Sequence, residues 1–297
     1  MELWVYITIA AAFAQNLRFA LQKYLKGQLT TLGASYARFV FAAPFAIAFV
    51  LALTAFNGSG LPGANMAFLG WAALGGASQI IATVLLVSLF GLRNFAVGVA
   101  FAKTETIQTA IIALIVLGEA VTGGAVAAIL ISLVGVIMIS AQGGSLLGAG
   151  MFNRSALLGI GSGAFFGISG VSYRAASLSL ESGNFLERAA LTLAVVTVMQ
   201  AVVMTIWLRV KEPGQISRVF ALSKLTSMVG LTSMLGSLGW FAAFTLTNAA
   251  YVRAVGQIEL VFTFAASILF FKETPKQREV IGVVLIALGS VMILLFR

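Results

Sequence analysis

The 297-residue sequence contains no cysteine and no histidine, and all nine of its acidic residues are glutamate. Without thiols there are neither disulfides nor thiolate metal ligands, and without imidazole a Ser-His-Asp triad or a histidine-bound zinc is unavailable. The lack of aspartate removes the usual ligands of magnesium-dependent phosphoryl transfer. No Gly-rich loop ending in Lys-Ser or Lys-Thr is present, so the chain has no ATP motor of its own. An enzyme is therefore not expected, and neither a cofactor nor a metal is implied. Charge is also scarce, at 9% of residues, and proline occurs four times.

What remains is apolar. Hydrophobic residues make up 60% of the chain and the mean hydropathy is +1.05, far above a soluble domain of this size. A bilayer core of roughly 30 Å takes about 20 residues of helix per crossing, which leaves room for about ten crossings and little else. Runs such as 109–118 and 280–296 are apolar on every face, whereas the strands of a membrane β-barrel alternate. The expected fold is an all-α membrane protein. Hydropathy and turn chemistry predict helices over 3–22, 32–55, 66–90, 95–117, 122–141, 155–177, 184–208, 225–249, 252–271 and 277–296. Breaks come at Asn57-Gly58-Ser59-Gly60 with Pro62, Gln142-Gly143-Gly144, Pro213-Gly214 and Thr274-Pro275. The first segment lacks the basic start and cleavage site of a signal peptide and is expected to be retained.

The net charge of +9 lies in short loops rather than in one basic stripe, which points to membrane orientation and away from nucleic acid. Lys23, Lys26, Arg93, Arg154, Arg209, Lys211, Arg218, Lys224, Lys272, Lys276 and Arg278 all fall in odd-numbered loops. Arg253 and Arg297 are the cations assigned to the other face. The positive-inside rule then puts the odd loops in the cytoplasm and both termini outside, in a bacterial-type inner membrane.

Sliding the sequence on itself gives an ungapped match at an offset of 154 residues. Ala100, Glu105, Thr109, Glu119, Val126, Gly135, Met138 and Ile139 fall on Ala254, Glu259, Thr263, Glu273, Val280, Gly289, Met292 and Ile293. Apolar matches arise by chance in such sequences, but two coincident glutamate pairs carry information. The chain reads as two five-helix repeats, residues 1–146 and 147–297. Five is odd, so the second copy enters the membrane from the opposite side and the repeats are inverted. Secondary carriers use this architecture, with the substrate near the midplane between the halves.

These features resemble the drug/metabolite transporter superfamily, specifically its ten-helix EamA-type carriers. The resemblance rests on Tyr36-Ala37-Arg38-Phe39 early in the second segment, and on Gly118-Glu119 and Lys272-Glu273-Thr274-Pro275 closing the fourth and ninth. The short final segment of each half fits as well. It implies export of amino acids or similar small polar metabolites by alternating access. The small four-helix multidrug relatives carry a proton-coupling glutamate in their first helix. Here Gln15 and Asn16 stand in that helix, so any proton coupling rests elsewhere.

An ionisable group at the bilayer centre costs about 2.5–3.5 kcal/mol and calls for a partner or a wet cavity. Lys103, Glu105 and Glu259 are the deepest. Lys103 and Glu105 are two apart and point to different sides of a helix, so at least one must find its partner elsewhere. Either the two glutamates flank the pathway, binding a cationic amine or coupling a proton, or they form buried ion pairs. Uncharged candidates for a substrate site are Gln15, Asn16, Ser78, Gln79, Gln108, Ser169, Tyr173, Asn248 and Gln257, with Phe101 and Trp240 as aromatic lining. Each alone is better explained by helix–helix bonding. Arg18, Arg38, Arg174 and Arg188 lie toward the mouths, where snorkelling to headgroups is the favoured role over receiving a substrate carboxylate. Gly159, Gly163 and Gly167 form a close-packing stripe. Pro44 is expected to kink the second helix and to serve as a gate. A channel-like protein and a membrane-embedded lipid-modifying enzyme are the alternatives to a carrier.

Overall fold

The computed structural model of the chain describes residues 2–89, 101–140, 154–262, 264–265 and 277–296. Among them are eleven helices and no strand: α1 Leu3–Leu25, α2 Thr31–Asn57, α3 Met66–Leu89, α4 Glu105–Leu117, α5 Gly123–Ser140, α6 Arg154–Ser179, α7 Phe185–Lys211, α8 Gln215–Ala221, α9 Ser223–Leu246, α10 Ala249–Gly256 and α11 Gln277–Phe296. Six of these, α2, α3, α6, α7, α9 and α11, are long and apolar enough to cross a membrane. The expected start of the fourth segment at 95–100, and the Lys272-to-Pro275 motif, lie outside the described residues.

The helix ends follow from local chemistry. Thr30 caps α2 by accepting from the backbone N–H of Gly33. Asn184 and Glu187 form a reciprocal capping box at the start of α7. Gly118 closes α4 at φ +67°, a left-handed position that glycine takes without Cβ strain. That turn lets the Glu119 N–H bond back to Ala113. The seven-residue α8, after the Pro213-Gly214 turn, has no counterpart among the helices expected from hydropathy.

Two expected helices are interrupted. The fourth turns at 103–104 before resuming as α4, and the ninth ends as α10 and turns at 257–258 before a helical turn at 259–262. At the 154-residue offset these breaks coincide, and each stands immediately before a glutamate, Glu105 or Glu259. The Thr104 hydroxyl donates to the Phe101 carbonyl at 2.6 Å and accepts from the Gln108 amide at 2.9 Å, local bonds that compete with the helical ladder.

Packing partners exchange between the halves. The first helix α1 lies along α9 as α6 lies along α3, whereas α2 pairs with α7 and α5 with α11. Both of the latter pairs are antiparallel. At one end of α2–α7 the Thr30 hydroxyl donates to Glu212 at 2.5 Å, and at the other Asn57 and Ser59 donate to Glu187, each at 2.7 Å. Where α5 crosses α11, a Cβ on Gly135 would meet the Gly282 carbonyl, and one on Gly289 would meet the Ala128 carbonyl. The offset converts one of these contacts into the other.

Large apolar side chains such as Leu51, Phe56, Ile115, Ile206, Val284 and Leu295 cover the outside, while many polar residues are buried. Lipid is the matching solvent for that surface. The expected glycine stripe allows one close approach in particular. Helix α6 comes so near the first helix break that a Cβ on Gly163 would lie 2.8 Å from the Ala102 carbonyl. Gly163→Ala is expected to destabilise the protein by about 1–3 kcal/mol through overpacking. Gly161→Ala meets only the flexible end of Leu85 at 3.4 Å and should leave the melting temperature unchanged or slightly raised. Melting curves of the two detergent-purified variants check the difference.

Candidate functional site

The two helix breaks face each other and build the centre of the molecule. Breaking a helix in an apolar bundle exposes backbone groups and aims polar side chains inward, a cost tolerated where the backbone is buried in protein or lines a cavity. Glu105 opens α4, where the positive end of the helix favours a carboxylate. Its partner comes from the other half: the Arg253 Nε lies 2.7 Å from Glu105 Oε1, a close charge pair without the alignment of a directed hydrogen bond. Lys103 in turn pairs with Glu259. The ion pairs therefore cross reciprocally, each joining a residue before α5 to one after α9. Gln257 adds a neutral crossing by donating to the Thr106 hydroxyl at 2.7 Å.

Helix α1 lies against this centre through Gln15 and Asn16. The Gln15 amide donates to Glu259 at 2.7 Å, and its carbonyl oxygen accepts from the Trp240 indole at 3.1 Å and from Arg18 at 3.3 Å. Asn16 donates to the Glu259 backbone carbonyl at 3.0 Å. Arg253 is sandwiched by aromatic faces, its guanidinium carbon 4.8 Å from the Trp240 ring centre and 5.1 Å from that of Phe244. Such contacts stabilise a cation where water is excluded.

Two small adjoining chambers result, each with room for little more than a water molecule. Lys103, Glu105, Thr106, Gln257 and Glu259 line one of them. Arg38, Gln79, Tyr173, Phe166, Ser237 and Phe241 line the other. Gln15, Trp240 and Arg253 belong to both and form the partition. Behind the second chamber the Tyr173 hydroxyl donates to the Gly75 carbonyl at 2.9 Å, and Gln200 bridges the Gly76 carbonyl and Gln79.

Of the residues expected from sequence, Gln15, Gln79, Lys103, Glu105, Tyr173, Trp240, Gln257 and Glu259 line these chambers, and Asn16 supports them through Glu259. Ser78, Phe101, Gln108, Ser169 and Asn248 do not line them. Ser169 bonds within its own helix to Phe166, and Asn248 caps α10 through Ala250. Pro44 lies inside α2 on its outward face, and the helix runs through it unbroken. Snorkelling does not describe Arg18 and Arg38, which are 1% and 3% exposed. Arg174 is held by Glu119 at 2.7 Å and by the Phe244 and Thr247 carbonyls.

Arg253, assigned to a loop by charge counting, is the main residue that sequence reasoning missed. Asn248 carries the signal that places it: an asparagine followed by two alanines reads as an N-cap, which puts Arg253 inside a helix that starts at 249. Thr30 does the same for Arg38, setting the start of α2 two turns before it.

Residues 153–295 match the family model of the EamA-like transporter family. Among curated proteins none matches the sequence. A protein of known crystal structure, 16% identical, superposes with a TM-score of 0.73 over 99% of this chain and 97% of its own. At that identity the likeness shows the fold, and it extends across both halves. The second half of the chain is thus similar to the EamA-like transporter family, and the whole chain shares a helical fold with a protein of known structure.

Proposed function

We propose that the protein is a secondary carrier that exports amino acids or similar small polar metabolites by alternating access. The observation that carries this reading is the pair of chambers at the two helix breaks, ionised and polar inside an otherwise apolar bundle. Residues 1–146 and 147–297 are read as inverted five-helix repeats, ten crossings in all. Support comes from the antiparallel pairing of counterpart helices and from the exchanged packing partners. Carriers place their sites at discontinuous helices between such repeats.

The small size of the cavities among the described residues supports a carrier over a channel, because a solute larger than water has to part the helices to enter. Pro44 removes one bond from the α2 ladder and is the place where α2 flexes between its fastened ends. With Arg253 inside the site instead of in a loop, the even-numbered loops hold still fewer cations, and odd loops in the cytoplasm with both termini outside remain the preferred orientation. The crossed ion pairs are the contacts that opening has to loosen. A proton taken up by Glu105 or Glu259 would release its cation partner and couple protonation to movement.

In proteoliposomes, substrate on both sides is expected to produce saturable counterflow, which a channel does not give. Glu105→Gln should lower that flux at least tenfold and destabilise the protein by roughly 1–3 kcal/mol, since it strands Arg253 without its counter-charge. The double variant Glu105→Gln/Arg253→Gln should recover stability but not transport. Recovery of both would reduce the pair to a structural role. A reporter fused after Arg297 that is active only outside the cytoplasm should score positive.

A further inference from the structure

The charges of the central site do not balance. Lys103 and Arg253 are matched by Glu259 and Glu105, but Arg18 and Arg38 have no carboxylate partner among the described residues. Both are buried, at 1% and 3% exposure. A guanidinium withdrawn from water is ordinarily paired, and this molecule pairs Arg174 with a carboxylate and two carbonyls. Arg18 makes one long bond to Gln15, and its Nε and Nη1 have no hydrogen-bond partner. Arg38 donates from Nη1 to the Thr83 hydroxyl at 2.7 Å. Each guanidinium carbon lies over an aromatic ring, Phe19 at 4.8 Å and Phe39 at 5.2 Å. Arg38 lines the chamber shared with Gln15, Gln79 and Tyr173, and Arg18 adjoins it through its bond to Gln15.

We propose that Arg18 and Arg38 form an anion-binding subsite, and that the transported solute is a small organic anion whose carboxylate or phosphate group is held there. This rests on the carrier reading and narrows its substrate class. The two glutamates are already neutralised from within, so they offer little to a cationic solute, whereas the arginine pair has no counter-charge among the described residues. Planar N–H edges suit the two oxygens of a carboxylate or phosphate in bidentate contact. The pair sits on α1 and α2, so the bound anion would be held by the first half of the chain while the crossed ion pairs tie the halves together.

The test uses the full-length protein in an uncharged detergent at constant ionic strength, with thermal melting as readout. Succinate, inorganic phosphate, leucine, leucinamide and a short-chain phosphatidylglycerol serve as probes. Succinate or phosphate is expected to raise the melting temperature saturably, and whichever acts identifies the group; leucinamide should have no effect. Arg18→Gln and Arg38→Gln should weaken the anion effect roughly tenfold to a hundredfold. Without ligand, these variants should melt no lower than wild type, because each relieves an uncompensated charge, whereas Arg174→Gln should melt lower. A structural role for Arg18 and Arg38 predicts the opposite sign. Should either variant fail to fold, the wild-type titration and the Arg18→Lys and Arg38→Lys proteins, which keep charge but lose the fork, decide the matter. The proposal is overturned if no anion acts on wild type, if leucinamide acts equally, if only the phospholipid protects, or if the glutamine variants respond unchanged. Saturable anion binding without counterflow would instead leave the subsite standing and refute the carrier.

Discussion

Charge in a medium that cannot solvate it is the constraint on which the rest of this structure depends. Lys103, Glu105, Arg253 and Glu259 are tolerated in an apolar bundle because each finds its opposite across the line between the two halves. The pairing requires the two broken helices to meet end to end, and the breaks require helices that can approach closely. Gly163 supplies that approach on one side by letting α6 rest on the Ala102 carbonyl. Electrostatics, backbone interruption and small-residue packing are therefore one arrangement seen at three scales. Loss of any one leaves the other two without a reason to hold.

The helical fold was legible because membrane helices obey a simple length rule and because Gly58, Gly118 and Pro213 mark their ends. The two breaks were less legible. Ala-Phe-Ala-Lys-Thr-Glu and Val-Gly-Gln-Ile-Glu hold no proline and read as continuous helix by hydropathy, although the internal repeat marks both glutamates as unusual. The turn is held by a local bond, Thr104 to Phe101, together with one that forms only once the other half is in place, Gln257 to Thr106. Tertiary context overrides local preference there.

Much of the site could be read for a related reason. Polar residues in apolar helices are rare enough to be noticed, so Gln15, Gln79, Tyr173, Gln257 and the two glutamates stood out. The arginines were harder, because a long side chain near a helix end is equally consistent with reaching lipid headgroups or turning inward. Arg38 lies two turns into α2 and Arg253 one turn into α10, whose starts Thr30 and Asn248 cap.

The α2–α7 pair is bonded at both extremities, by Thr30 with Glu212 and by Asn57 and Ser59 with Glu187. Two antiparallel rods fastened at each tip cannot easily slide or splay; they serve as a fulcrum. Arg38 is carried on that member, whereas Lys103, Arg253 and both glutamates sit at or beside the turns of the interrupted helices. A solute gripped by α2 would therefore stay nearly stationary while the jointed helices swing past it, and the barrier would travel instead of the cargo.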